Sequence, residues 1–320
     1  MTAPTTLPTA AEVKDEARRI GFVACGIADL TPSRRGDALD HWLAQGYGGT
    51  MRYLHRQARK RKFPANVTPG ATRAIVVLEN YTAPRNELPA SGDQFKIARY
   101  ARGMDYHLVT HGRLHRLAEW LKGRGAGLAH VWLDDGPVPE RELGERAGLG
   151  WIGKNTMLIH PRIGSWTFVG TVFTDVELEI DTPIDTDRCG SCTRCLDACP
   201  TDAFVADRSL DATRCLSYLT IEYKKPLPES LLPHWDGWAF GCDVCNSVCP
   251  WNGRFAVATT VTEFTNRRDP DRTDPAVFDT MSNTEFQQRY GDTPLARSGL
   301  ERMRRNLRAA TTARDPTTEG

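Results

Sequence analysis

The chain is 320 residues long, 40% hydrophobic and 25% charged, which are values of a globular protein with room for two modest domains or one large one with appendages. A formal net charge of +1 excludes a global pull toward nucleic acid or membrane, so any such partner must be met by a local patch. No apolar run approaches the roughly 20 residues of a membrane span, and Arg18-Arg19 is followed by a strand-like stretch rather than an export signal. A cytoplasmic protein is expected, and in that compartment disulfides are a poor explanation for nine cysteines.

In chain order, residues 1–10 read as a disordered N-terminus. "AAEVKDEARRIG" reads as an amphipathic helix ending at Gly21, and "FVACGIA" as a strand. A helix near "ALDHWLAQGY" leads to the basic run "HRQARKRK" at 55–62, and "RAIVVLENY" (73–81) is a buried strand by its β-branched density. "YHLVTHGRLHRLAEWLKGRG" places Leu114, Leu117 and Leu121 at helical spacing. "HVWLDDGP" is a strand ending in two aspartates and a turn, and "WTFVGTVFT" (166–174) is another strand. Strands alternating with helices predict an α/β core over residues 11–180. Regular periodicity fades in 181–255, where cysteines punctuate the chain, and a charged loop and two helical pieces make a tail over 256–320.

Eight of the nine cysteines lie between 189 and 249. The first group is C-x2-C-x2-C-x3-C-P. Three cysteines so close can hold three corners of one cubane cluster, while the fourth, beside a proline, turns toward a second cluster. The second group is C-x2-C-x3-C-P, with Cys215 standing in for a missing member. By this crossover rule Cys189, Cys192, Cys195 and Cys249 ligate one [4Fe–4S] cluster, and Cys199, Cys215, Cys242 and Cys245 the other. Paired zinc knuckles need neither the third close cysteine nor the C-P endings. Cys25 is left over as a small buried thiol on an apolar strand.

Two motifs mislead. "GLGWIG" (148–153) matches G-x-G-x-x-G, but it follows a helix and precedes a strand, the reverse of a dinucleotide fingerprint. "DYHLVT" (105–110) begins like a histidine-on cobalamin signature, yet Thr110 stands where glycine is required, so His107 should pack or hydrogen-bond locally.

Clusters alone mean electron transfer, which needs far fewer residues. In "ARYARGMDYH" (98–107), "LDDGPVPERELGERAGLGWIGKNTMLIHPRIGSW" (133–166), "CGSCTRCLDACPTDAF" (189–204), "RCLSYLTIE" (214–222), "FGCDVCNSVCPWN" (240–252) and "TPLARSGLERMRRN" (293–306) the chain resembles the epoxyqueuosine reductases. These are cobalamin-dependent enzymes of the last step of queuosine tRNA modification. The resemblance implies an α/β, nitroreductase-like cobalamin-binding domain fused to a ferredoxin-like module with two [4Fe–4S] clusters, and a short, mostly helical C-terminal tail. It implies Asp134 as proton donor and corrinoid contacts at Arg61, Ala98, Asp134, Leu158, Val169, Ser217 and Asp243. Alternation along the strand is expected to turn Asp135 away from Asp134, and burial under the corrin to raise the Asp134 pKa. The implied partners are a tRNA carrying epoxyqueuosine in its anticodon loop and an external one-electron donor, with no membrane partner and a monomeric chain. For RNA phosphates the candidates are the 55–62 run, Tyr223, Lys224, Lys225, Arg297, Arg304 and Arg305. Trp235, Trp238 and Trp251 either stack a flipped base or shield the clusters. A reductive dehalogenase, or a non-catalytic electron-transfer or corrinoid-trafficking module, is the alternative. The first of these would carry an export signal, and the second would need no donor at "LDDGP".

Overall fold

The structure, a computed structural model, describes residues 6–82, 95–265 and 273–312. Most of the charged loop expected at 265–275 lies outside the described residues, as do residues 1–5 of the expected disordered N-terminus. The rest of that N-terminus is ordered by its own sequence. Thr9 accepts the Glu12 N–H while the Glu12 carboxylate takes the Thr9 N–H, a capping box that starts the helix Ala10–Ile20. Gly21, at φ +111°, ends the helix in the left-handed conformation that glycine adopts without strain.

Strands Ala24–Asp29, Arg73–Asn80, Thr167–Thr174 and Ala129–Trp132 form one sheet in that order. Every pairing in it is antiparallel. The alternation of strand and helix therefore does not build parallel βαβ units here. The central strand is buried on both faces, as its β-branched run predicts. Ile75 and Val77 join Val13, Leu114, Leu117 and Leu121 beneath the helices Ala10–Ile20 and Tyr106–Gly123. Ala74, Val76 and Leu78 face Val138, Leu143 and Ala147 around the helix Glu140–Arg146. The leftover Cys25 lies on the edge strand, where burial pushes its thiol up to about 12.

In the second half the cysteine-rich stretch and the helical tail share one core. Strand Trp238–Phe240 pairs in parallel with Lys96–Ile97, so a piece of the first half joins the second. Phe278, Phe286, Leu300, Met303 and Leu307 from the tail share one core with Leu216, Leu219, Trp235 and Phe240. The last carbonyls of a helix have no partner within it, and those of Leu216–Ile221 are taken up by the helix Gly299–Thr312. Arg305 donates to Leu219 O at 2.7 Å, Asn306 to Thr220 O at 2.8 Å and Arg302 to Ile221 O at 2.6 Å. Arg305 also reaches Tyr223 O and Lys225 O. Arg305→Ala strips several charge-assisted bonds, each contributing about 1.5–3 kcal/mol. It is expected to lower stability by about 2–4 kcal/mol in urea unfolding; a change below about 0.5 kcal/mol would refute this role. No helix among the described residues is long and apolar enough to cross a membrane.

Candidate active site and cluster-binding half

Strand Ala129–Trp132 stops two residues short of Asp134, which sits in the left-handed region at φ +55°. The turn closes on Gly136, where a Cβ would lie 2.2 Å from the Trp132 ring, so only glycine fits. Within this turn the Asp134 N–H donates to Glu140 Oε1 at 3.0 Å. The Tyr106 hydroxyl donates to Asp134 Oδ2 at 2.6 Å, and Arg297 Nη1 stands 3.8 Å from the same oxygen. Asp135 turns elsewhere, accepting the Leu133 N–H and meeting His111 Nε2 at 3.0 Å. The two aspartates do part, but through the left-handed turn rather than through strand alternation.

Burial of the Asp134 side chain is not what the protein itself provides, since that side chain is 61% exposed. The enclosed carboxyl is that of Glu140, which burial pushes up to about 7, with the Asp134 charge adding to the shift. Burial and Asp134 together also raise the Tyr106 hydroxyl well above its ordinary range, so it stays a donor. Its ring stacks on Phe168 at 4.3 Å, which fixes the direction of the O–H. Asp105 caps the helix that carries Tyr106 and holds His107 Nδ1 at 2.8 Å, the local bond expected for that histidine.

Around this turn lie the other positions implied by the resemblance. Arg61 donates to Val138 O and Gly136 O, while its buried Nε has no partner. Leu158 and Val169 pack in the cluster that contains Val138. Ala98 and Asp243 meet on the other side: Ala98 N–H donates to Phe240 O, and buried Asp243 accepts the Arg99 N–H at 2.7 Å. Burial raises the Asp243 carboxyl against the opposing pull of that bond and of Arg99. Ser217 lies on the helix Leu216–Ile221, whose Thr220 Oγ1 accepts the Gly241 N–H next to Asp243. Half-buried Tyr100 joins the two groups, its ring meeting Tyr106 on one side and Phe240 on the other, each at 6.2 Å.

The cysteines gather in two neighbourhoods. Cys189, Cys192, Cys195 and Cys249 line one cavity of about 190 Å³ with Lys154, Asn155, Arg188 and Trp251. Burial pushes the Cys195 thiol up to about 11, and Cys249, Cys189 and Cys192 add to it. In the other neighbourhood burial raises Cys242, with Cys245 and Cys215 contributing, and raises Cys245, with Cys215 and Cys199 contributing. Cys199 does not line the first cavity, and its charge acts on Cys215 and Cys245. Among the described residues no three Cys, His, Asp or Glu side chains converge tightly enough to hold one ion. A single tetrahedral zinc, with Zn–S near 2.3 Å, would need sulfurs about 3.8 Å apart. Thiols ringing a cavity suit a larger group. "GLGWIG" makes no nucleotide cradle: Gly150 lies where a Cβ would be 2.2 Å from Ile159 O, in the short hairpin Trp151–Ile152/Leu158–Ile159.

Comparison with known proteins assigns this arrangement. Residues 61–134 match the family described as "Epoxyqueuosine reductase QueG, DUF1730", and residues 188–252 match a "4Fe-4S double cluster binding domain". The epoxyqueuosine reductase of Pseudomonas aeruginosa is 40% identical over 311 residues, covering 96% of this chain and 86% of that protein. The Gloeobacter violaceus enzyme is 40% identical over 310 residues, covering 95% and 96%. The chain belongs to the epoxyqueuosine reductase family. A crystal structure of an epoxyqueuosine reductase with an epoxyqueuosine-modified tRNA-Tyr stem loop superposes with a TM-score of 0.86 at 29% identity, over 94% of this chain and 80% of that one. The Streptococcus thermophilus epoxyqueuosine reductase gives 0.84 at 26% identity, over 96% and 82%. The mixed α/β fold with a double-cluster domain and a helical C-terminal region is therefore that of epoxyqueuosine reductases.

Several residues expected at the RNA are placed otherwise. Arg304 spends its guanidinium on Phe278 O, Asp279 O, Met281 O and Glu301, and Arg305 is committed to the helix end described above. Neither can serve phosphates without unmaking the tail. Arg297 faces Asp134 and pairs with Glu222 at 2.7 Å, and in the 55–62 run Arg61 turns inward while Lys62 pairs with Asp40. Trp235 is fully buried and Trp238 nearly so, which removes both as base-stacking platforms; Trp251 lines the first cysteine cavity. Lys224 and Lys225 are exposed, with Tyr223 half-buried beside them. Tyr106 and Glu140 had no local signal that would mark them as partners of Asp134, because a helix start and a turn meet there only in the fold.

Proposed function

We propose that the protein reduces the epoxide of epoxyqueuosine at the anticodon wobble position of a tRNA to the alkene of queuosine, taking up two electrons and two protons and releasing water. The observation that carries this reading is 40% identity with an epoxyqueuosine reductase across 96% of the chain, spanning both the Asp134 turn and the cysteine-rich half. Cys189, Cys192, Cys195 and Cys249 hold one [4Fe–4S] cluster, and Cys199, Cys215, Cys242 and Cys245 the other. The cavity ringed by the first set and the mutual proximity of the second support this division.

A corrinoid would sit between the Asp134 turn and the second cysteine set. Support comes from the buried Arg61 Nε, which lacks any protein partner and is left for a ligand. Arg61, Ala98, Leu158, Val169, Ser217 and Asp243 would hold the group. When bound, it supplies a low-valent metal able to deliver electrons to a strained carbon–oxygen bond. The protein's own task is the proton. Asp134 gives one of the two to the departing oxygen and the other comes from solvent, with Tyr106 O–H fixing the carboxyl's direction and Glu140 fixing the backbone beneath it. Exposed in the protein alone, Asp134 is open to a substrate base presented by an anticodon loop, and Lys224 and Lys225 offer charge for its phosphates.

Titration of anaerobic, cluster-loaded protein with cobalamin tests the reading. The visible spectrum of the corrinoid should shift on binding, and Arg61→Ala should weaken that binding about tenfold or more. Turnover that proceeds equally well without cobalamin would overturn it.

A further inference from the structure

The two cysteine sets differ in how the chain covers them. Cys215 lies between exposed Arg214 and buried Leu216, half-buried Cys242 is flanked by buried Gly241 and Asp243, and Cys245 is followed by buried Asn246. Around the first set the flanking residues Arg188, Gly190, Ser191, Thr193 and Arg194 are all exposed. This is where an outside protein can come nearest to a redox centre. Arg188 and Arg194 line the first cavity beside Cys189, Cys192 and Cys195. A second, open hollow of about 640 Å³ on the other side of Cys249 is lined by Arg194 and Gly253, the latter adjacent to exposed Arg254.

These three arginines are not spent inside the protein. Arg188 lies over the Trp151 ring at 5.8 Å and Arg254 over the Phe255 ring at 5.1 Å. None of the three is in an ion pair among the described residues, whereas the neighbouring Asp187 is neutralised by Arg208 at 2.7 Å and Asp207 by Lys154 at 3.2 Å. Among the described residues Asp197 is the one acidic residue lining either hollow. Trp251 and Phe255 stack at 5.2 Å between the arginines, adding a flat apolar element. A positive rim around an apolar centre complements a carrier whose redox centre is ringed by carboxylates, and such complementarity acts chiefly on the rate of encounter. The hollow of about 510 Å³ formed by Pro200, Thr213, Arg214, Pro228 and His234 has no cysteine in its wall.

We propose that the face carrying Arg188, Arg194 and Arg254 is the docking site for an acidic one-electron carrier protein. The proposal rests on the cluster assignment made under the proposed function. Each encounter oxidises the carrier by one electron and reduces the outer cluster by one, with no bond or proton changing. Two encounters supply the pair that the epoxide takes up.

The test is stopped-flow bleaching of the cluster absorbance in holoprotein carrying both clusters. It compares reduced plant-type ferredoxin, an acidic carrier, with photoreduced deazariboflavin, a small uncharged reductant. Arg254 lies outside the wall of the cluster cavity, so R254E is the variant: it should slow reduction by ferredoxin at low salt at least about threefold and flatten its salt dependence, with R254Q in between. Reduction by deazariboflavin and the affinity for a tRNA stem loop should stay within about twofold. Three results overturn the proposal: an unchanged ferredoxin rate, equal slowing with both reductants, or lost RNA affinity with the ferredoxin rate intact. The last of these would give the face to RNA. Bleaching needs no substrate, so clusters that reduce normally in a protein unable to convert epoxyqueuosine would sink the enzymatic reading while leaving this comparison valid.

Discussion

Asp134→Asn is expected to lower the single-turnover rate of epoxide reduction by about 10²–10⁴, the loss typical of a missing general acid. Cobalamin binding and both clusters should be unaffected. Asparagine is among the few residues that accept the left-handed backbone seen at this position, and its amide oxygen can still take the Tyr106 hydroxyl. The side chain is mostly exposed, so no core is disturbed. Asp135→Asn is the matched control. It removes a carboxylate from the same turn, one that meets His111 and the Leu133 N–H instead, and it should cost less than about tenfold. Near-normal single turnover in Asp134→Asn with prereduced cofactor would reduce Asp134 to a residue that shapes the turn.

Cys199→Ser should remove the inner cluster rather than the one built from its sequence neighbours. Cys199 is absent from the wall of the first cavity, and its sulfur accepts the Ala203 N–H at 3.3 Å. Iron should fall from about eight atoms per chain toward about four, and the low-temperature spectrum of the reduced protein should retain the outer cluster. Cys192→Ser should do the reverse. If both variants lost the same cluster, the crossover between the two cysteine groups would be wrong. Catalysis should fail in Cys199→Ser even with a strong chemical reductant, since the inner set lies beside Asp243 and hence beside the reacting group.

What the sequence makes legible here follows the range of the interaction. The capping box at Thr9 and Glu12 and the two-faced strand Arg73–Asn80 are written within a few residues, and so is the helix carrying Leu114, Leu117 and Leu121. The cysteine spacing is equally local, and it announced iron–sulfur ligation before any fold was known. The antiparallel order of the sheet was not legible, because strand alternation with helices does not specify pairing direction. The same holds for the tail. "GLERMRRN" looks like a basic helix awaiting a polyanion, yet Arg302, Arg304 and Arg305 donate to backbone carbonyls far away in the chain. Charge is visible in a sequence, whereas the carbonyls that consume it are placed only by tertiary packing. Asp134 itself was reached through resemblance. Its supports, Tyr106, Glu140 and Arg297, come from three separate segments and could be joined only by the fold.

The most direct measurement is the product. Cluster-loaded, cobalamin-loaded protein should be incubated anaerobically with a chemical reductant and a tRNA stem loop bearing epoxyqueuosine, and the nucleosides then digested and weighed by mass spectrometry. The account predicts conversion to queuosine, one oxygen atom lighter, dependent on cobalamin and lost in Asp134→Asn. Unchanged epoxyqueuosine in a sample whose clusters and corrinoid are demonstrably reduced would contradict it.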